Sequence, residues 1–374
     1  MGGNPMATYV NNHIHTTYSF SPYTPAAAVE AAMNSGLKTA GIIDHDSVGG
    51  AKEFIEAGQR LGMPVTVGVE CRVDMSGTPL NGKRLNNPDQ KSVAYVTMHG
   101  IPHQNIDKVD AFFAPYREKR NQRNRIMCRN ISALTAPYQI TLDFDQDVLP
   151  LATATVTERH ILFALVKKIV AVYDTPEKVI DFICNTMEIS LSEKVKSQIL
   201  AGRETPEFYE YDILGALKGN MVEKFYVDAT EELPDVREFI QMVHENGGVA
   251  AYAYLGDVGD SVTGDKKAQK FEDDYLDLLF DVIADLGFDA VTFMPSRNTP
   301  AQLDRLMAMC EEKGFFQISG EDINTPRQSF ICKAYENPKF QHLVDAAFML
   351  IAYENAAEED IASAKKQYPQ MFRY

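Results

Sequence analysis

The chain has 374 residues, 45% of them hydrophobic, enough for one large domain or two modest ones with a real core. Its 36 basic and 52 acidic side chains leave a formal charge of −16, which argues against non-specific binding to nucleic acid or to an anionic membrane surface. Five cysteines, an odd number with no Cys-x-x-Cys pair, read as the reduced thiols of a cytoplasmic protein, not as a disulfide frame or a zinc ribbon. No apolar run is long enough to span a bilayer, and no basic-then-apolar leader opens the sequence. Met1-Gly2-Gly3-Asn4-Pro5 reads as a disordered start or a cloning remnant.

Tyr9 to Thr17 reads as a strand ending in His13-Ile14-His15. Residues two apart on a strand point the same way, so the two imidazoles aim at one point. Thr24-Pro25 opens a helix that Gly36 ends. Thr39 to Ile43 is a buried strand running into Asp44-His45-Asp46, a helix follows to Arg60, and Val65 to Val69 is a strand ending at Glu70. Strand followed by helix, repeated, predicts a parallel sheet or barrel with its chemistry at the C-terminal strand ends. Ser92 to His99 is a fourth strand.

From Gln104 to about Pro234 the pattern is helical without strands, and it holds the only dense basic run, Arg117 to Arg125. Glu158 to Val172 and Pro176 to Met187 are helices within it. Alternation then resumes. Helices are predicted at Asp235–Asn246, Phe271–Leu286 and Thr299–Lys313, with strands at Gly248–Tyr254, Phe288–Met294 and Phe315–Ser319. Asn337 to Tyr374 reads as a C-terminal helix and tail. The expected organisation is a first barrel part at 8–103, a helical, substrate-capping insertion at 104–234, a second barrel part at 235–345 and a C-terminal helix and tail at 346–374.

His13, His15, Glu70 and Asp322 come from three separate strand ends, and a mixed imidazole and carboxylate shell suits Zn, Mn or Fe as a divalent ion. Glu70 has two oxygens and can bridge to a second ion, and Asp44, His45 and Asp46 stand one strand over. Such an ion lowers the pKa of water and neutralises phosphate oxygens. Taken singly, each residue is as well explained by a helix cap or a satisfied core histidine. At consecutive strand ends, in order, they favour a metal site.

His-x-His, Asp-His-Asp after a strand, Gly68-Val69-Glu70 and Gly320-x-Asp322 together resemble the PHP (polymerase and histidinol phosphatase) domain over residues 8–100 and 236–330. The resemblance implies an α/β fold, a distorted seven-stranded (β/α)7 barrel with an all-helical insertion, up to three metals and hydrolysis of phosphate esters. The insertion is similar to that of the TrpH-like branch, which carries an Arg-rich helix and a later Arg-Pro-His-Ile motif. Here Glu158-Arg159-His160-Ile161 keeps the histidine and not the residues before it. Other family positions also differ. Ser19-Phe20-Ser21 stands where Ser-Asp-Gly is usual, and Tyr95, Tyr254 and Asn324 stand where histidines are usual.

The implied metal ligands are His13, His15, Glu70, Asp322, His45 and His99. His160 and Asp44 are the expected catalytic residues, and Arg297, Arg120 and Tyr254 the expected substrate-binding ones. The implied function is a metal-dependent phosphoesterase acting on a small phosphorylated molecule such as a nucleotide, with no nucleic-acid duplex or membrane as partner and the oligomeric state left open. The alternative is a degenerate PHP protein that binds such a ligand without turnover. A metal-dependent amidohydrolase ranks lower, because a bridging lysine and later barrel histidines are missing.

Overall fold

The computed structural model describes residues 6–259 and 268–373, so the leading Met1–Pro5 segment lies outside them. In chain order the main elements are β1 (Val10–Ile14), α1 (Pro25–Ser35), β2 (Thr39–His45), α2 (Ala51–Leu61), β3 (Val65–Asp74) and β4 (Val93–His99). There follow α3 (Ile106–Thr135), α4 (Glu158–Val172), α5 (Pro176–Asp181), α6 (Glu193–Leu200) and α7 (Pro206–Phe225). Then come α8 (Val236–Glu245), β5 (Val249–Ala253), α9 (Leu276–Leu286), β6 (Ala290–Phe293), α10 (Pro300–Lys313), β7 (Phe316–Ser319), α11 (Gln341–Ala357) and α12 (Ile361–Gln367).

The local chemistry of the first βα unit behaves as its sequence predicts. Thr24 caps α1 by accepting from the Ala27 N–H, Pro25 occupies the first turn where its missing N–H costs nothing, and Gly36 ends the helix at φ +97°.

The seven strands hydrogen-bond in sequence order, β1 to β7. A parallel bridge between Ile14 and Ile323 then ties the segment after β7 back to β1, with His15 N–H donating to the Ile323 carbonyl at 2.9 Å and Ile323 N–H to the His13 carbonyl at 3.1 Å. The result is a nearly closed, distorted (β/α)7 barrel. It is not all parallel, as the alternation of strands and helices suggested: β4 runs antiparallel to both β3 and β5. The cause is the connection between Asp74 and Val93, which carries no helix and so cannot return the chain to its starting end as a crossover does. β3 also continues past Glu70 to Asp74, so that glutamate sits mid-strand.

The floor of the barrel is closed by α11, a C-terminal helix that begins at Gln341 and spans residue 346. Glu354 from this helix accepts the Val67 N–H at 2.9 Å and the Thr66 hydroxyl, while Leu350 and Tyr353 pack on Val249, Ala251, Ala290 and Ile318. The helices α3 to α7 carry a separate apolar core, built from Met127, Ile131, Ile161, Leu165, Phe182 and Leu217, among others. Phe20, from the loop after β1, is buried in that second core and pins the helical insertion against the barrel rim.

Candidate metal centre

β1 delivers His13 and His15 to the barrel interior on either side of Ile14, the residue whose backbone closes the barrel. The loop bearing Asp322 passes over them because residue 320 is glycine: a Cβ there would lie 2.6 Å from the His13 Cβ. Glu70 lies opposite His45 in the β2–β3 register. One carboxylate oxygen of Glu70, Oε2, thereby faces three imidazoles, at 3.3 Å from His13 Nε2, 3.5 Å from His15 Nε2 and 3.6 Å from His45 Nδ1. Asp322 Oδ1 lies 3.1 Å from His15 Nε2. The rings of His15 and His45 stack at 4.6 Å.

The tautomer of His15 follows from its neighbours. Asp44 is buried and accepts from the Thr16 N–H (2.6 Å), the Thr16 hydroxyl (2.7 Å) and the Ser19 hydroxyl (2.7 Å). Ser19 has thus committed its proton and receives the His15 Nδ1–H at 3.1 Å. His15 Nε2 then presents a lone pair to two carboxylates, and it is a buried atom with no hydrogen-bond partner among the described residues. Acceptor against acceptor is the arrangement a cation resolves. Two overlapping groups, His13/His15/Asp322 and His15/His45/Glu70, each bring their ligand atoms within 4.8 Å of one another. Nitrogen and carboxylate donors in this arrangement fit a divalent ion.

The site's charges fit such an ion too. Burial opposes ionisation of Glu70, but the facing imidazoles of His13 and His45 outweigh it and hold its carboxyl below the usual range. Burial likewise opposes the charge of Asp322, and its close approach to His15, with the nearby His13 and Arg159, brings its carboxyl well below that range. Burial pushes His45 down to about 3, so this imidazole is neutral and its lone pair is available to a metal.

Not every expected site residue belongs here. Asp44 does not reach the pocket; its oxygens are spent on Thr16 and Ser19, so it orients His15 and is not placed to move protons. His160 is 2% exposed and closes a capping box at the start of α4, accepting from the Thr157 N–H at 2.9 Å, with Phe20 against its ring. It lies behind the pocket wall, and burial pushes it down to about 3. His99 lies outside both ligand groups. Because β4 runs backwards, its first residues meet the rim, where Tyr95 lines the pocket, and His99 is carried deep into the barrel.

Tyr254 lines the pocket, but its hydroxyl donates to Asp273 at 2.7 Å. Arg297 does not line it; its guanidinium donates to the carbonyls of Leu255 and Gly256 and so shapes the turn after β5. Opposite it, Glu272 accepts the N–H groups of Leu255 and Gly256, both at 2.7 Å. Burial pushes the Glu272 carboxyl up from 4.5 to about 7. The folded chain therefore binds this proton more tightly than the unfolded chain does, and stability falls as pH rises between those two values. Glu272→Gln keeps both acceptor bonds and removes the charge. Thermal unfolding should show the variant matching wild type near pH 4.5 and exceeding it at pH 8, by on the order of 3 kcal/mol.

Arg120 does line the pocket, but its guanidinium is already engaged by carboxylates. It pairs with Asp46 at 2.8 Å and with Glu158 at 3.0 Å, inside a buried cluster that also holds Arg72, Arg123 and Glu232. Asp46 sits at φ +51°, a conformation aspartate tolerates better than most residues, and Arg117 grips its carbonyl at 2.7 Å. The basic run of α3 is thus largely an internal fastening. Two further pocket residues were not anticipated from the sequence, Arg159 at the start of α4 and Lys218 on α7. No local pattern marks them, because only the fold of the insertion brings them to the rim. The whole cavity is about 340 Å³, within the size range of small-molecule sites.

Comparison with known proteins gives the same frame. The sequence profile described as the PHP domain matches residues 11–170. The fold is similar to that of a proposed metal-dependent phosphoesterase from Bifidobacterium adolescentis, with a TM-score of 0.56 and 21% identity over 91% of this chain and 98% of that one. It is also similar to an amidohydrolase from Chromobacterium violaceum solved with bound sulfate and no metal, with a TM-score of 0.56 and 15% identity over 91% of this chain and 97% of that one. No curated protein sequence matches the chain.

Proposed function

We propose that this chain is a metal-dependent phosphoesterase, releasing phosphate from a small phosphorylated molecule such as a nucleotide, a reading supported by the PHP-domain match over residues 11–170. One observation carries the reading: the unpaired Nε2 of His15, turned by Ser19 toward Glu70 and Asp322, is a ligand atom without a ligand. When bound, a Zn, Mn or Fe ion supplies Lewis acidity toward a phosphate oxygen and acidifies water. The residues around it orient and hold. Ser19 and Asp44 fix the His15 ring, Glu70 gathers His13 and His45, and the insertion covers the rim so that the reacting group is kept from bulk solvent.

A second reading, a ligand-binding protein without turnover, is favoured by Asn324 and Tyr254, whose polar atoms are tied to Asp322, Arg159 and Asp273. Protein stripped with chelator and reloaded with each metal, tested on nucleotide mono- and bisphosphates, separates the two. Phosphate release that requires metal and disappears in His13→Ala supports the phosphoesterase. Thermal stabilisation by the same compounds without phosphate release supports the binding protein.

A further inference from the structure

Asn324 stands at the metal centre, but its side chain is turned away from a ligand's role. An arginine only donates and an ionised aspartate only accepts, so the network fixes the amide orientation. Asn324 Oδ1 receives Arg159 Nη1 at 2.7 Å, and Asn324 Nδ2 donates to Asp322 Oδ1 at 3.1 Å. The one atom with which Asn324 would bind a second ion is thus already holding a guanidinium. His15 adds a second limit. It belongs to both candidate ligand groups, and with Nδ1 bonded to Ser19 it has a single lone pair to give.

Arg159 lines the cavity and is in no ion pair among the described residues; its bond to Asn324 uses one of five N–H donors. Lys218 lines the same wall, is exposed at the mouth, and is in no ion pair among the described residues. The two cations lie close enough that Arg159, ahead of burial, holds the Lys218 ammonium down to about 8. The acidic groups nearest them form no ion pair with either among the described residues, although Asp322 feels the Arg159 charge. Glu158 is consumed by Arg120 and Arg123, Asp322 faces His15, and Asp89 has its carboxyl pushed up by burial and by Glu158. Two unpaired cations against one wall of a cavity, next to an imidazole and carboxylate centre, are an anion site.

We propose that Arg159, backed by Lys218, supplies the second positive charge of this centre, so that an anionic oxygen-rich group such as phosphoryl is held between one metal ion and a guanidinium. The inference rests on the phosphoesterase reading and specifies its cation set. A guanidinium offers two parallel N–H groups to two oxygens of one phosphoryl, and unlike an ion it is not lost to chelation.

The test uses inorganic phosphate on metal-loaded full-length protein, with calorimetric titration for binding and elemental emission for metal content. Wild type is expected to hold one ion per chain and to bind phosphate. Arg159→Gln is expected to weaken phosphate binding by about tenfold to a hundredfold, the range of a charge-assisted contact, with metal content unchanged. Lys218→Gln, a surface change that leaves the fold alone, is expected to weaken it by about threefold to tenfold. Two or more ions per chain, or phosphate binding untouched in both variants, overturns the inference while leaving the phosphoesterase reading in place. Metal-loaded wild type that binds no phosphate at all overturns that reading itself.

Discussion

His15→Ala should abolish stable metal binding and, with it, at least about 1,000-fold of any metal-dependent turnover. The reasoning starts from position. His15 is 1% exposed, shares its Nε2 between the Glu70 and Asp322 sides, and is the only residue common to both candidate ligand groups among the described residues. Removing it leaves two carboxylates converging on an empty space with less nitrogen to balance them. The same substitution has a thermodynamic signature independent of turnover. A ligand that binds only the folded state stabilises it by about 2.7 kcal/mol when present at 100 times its dissociation constant. Chelator should therefore lower the melting temperature of wild type and leave that of His15→Ala where it was. A wild-type melting temperature indifferent to both chelator and added Zn, Mn or Fe would refute the metal site.

His15 also shows how much of the site was legible in the sequence. A strand has a period of two, so His-x-His at a strand end fixes a shared direction without any knowledge of the fold. The strand and helix alternation fixes which ends meet, and so the convergence of His13, His15, His45, Glu70 and Asp322 on one place is legible in the sequence. The misses have physical causes. His99 is a ligand implied by the resemblance, but β4 runs antiparallel and carries it away from the rim; the lack of a crossover helix between Asp74 and Val93 was the available signal. His160 and Asp44 carry the right chemistry but spend their polar atoms on a capping box and on Thr16 and Ser19, a matter of a few ångströms that no sequence pattern encodes. Arg159 and Lys218 lie on two different helices of the insertion, and nothing short of its packing brings them together.

The fastening of that insertion leads to the other large effect. Glu232, 7% exposed, accepts from Arg72 of β3 and from Arg123 of α3, and Glu158 of α4 receives Arg120 at 3.0 Å and Arg123 at 2.5 Å. With Asp46, three arginines meet three carboxylates, so the cluster is neutral only as a whole. Burial works against the Glu158 charge, but Arg120, Arg123 and Arg72 hold its carboxyl well below the usual range. Glu232→Gln deletes one of the three anions and leaves a guanidinium buried without compensation. It should cost about 3–5 kcal/mol, the range for breaking one partner out of a buried pair. Replacing Arg72 as well, as Glu232→Gln with Arg72→Met, removes the surplus charge and should recover part of that loss. Urea midpoints of the two variants decide it. A single variant as stable as wild type would mean that water already reaches the cluster; a double variant less stable than the single would mean that Arg72 packs against more than its carboxylates. Because the cluster joins β3, the segment after β2, α3, α4 and the approach to α8, its loss should also loosen the wall that carries Arg159. The single variant should therefore weaken phosphate binding while its metal content stays at the wild-type value, since none of the metal-facing side chains belongs to the cluster.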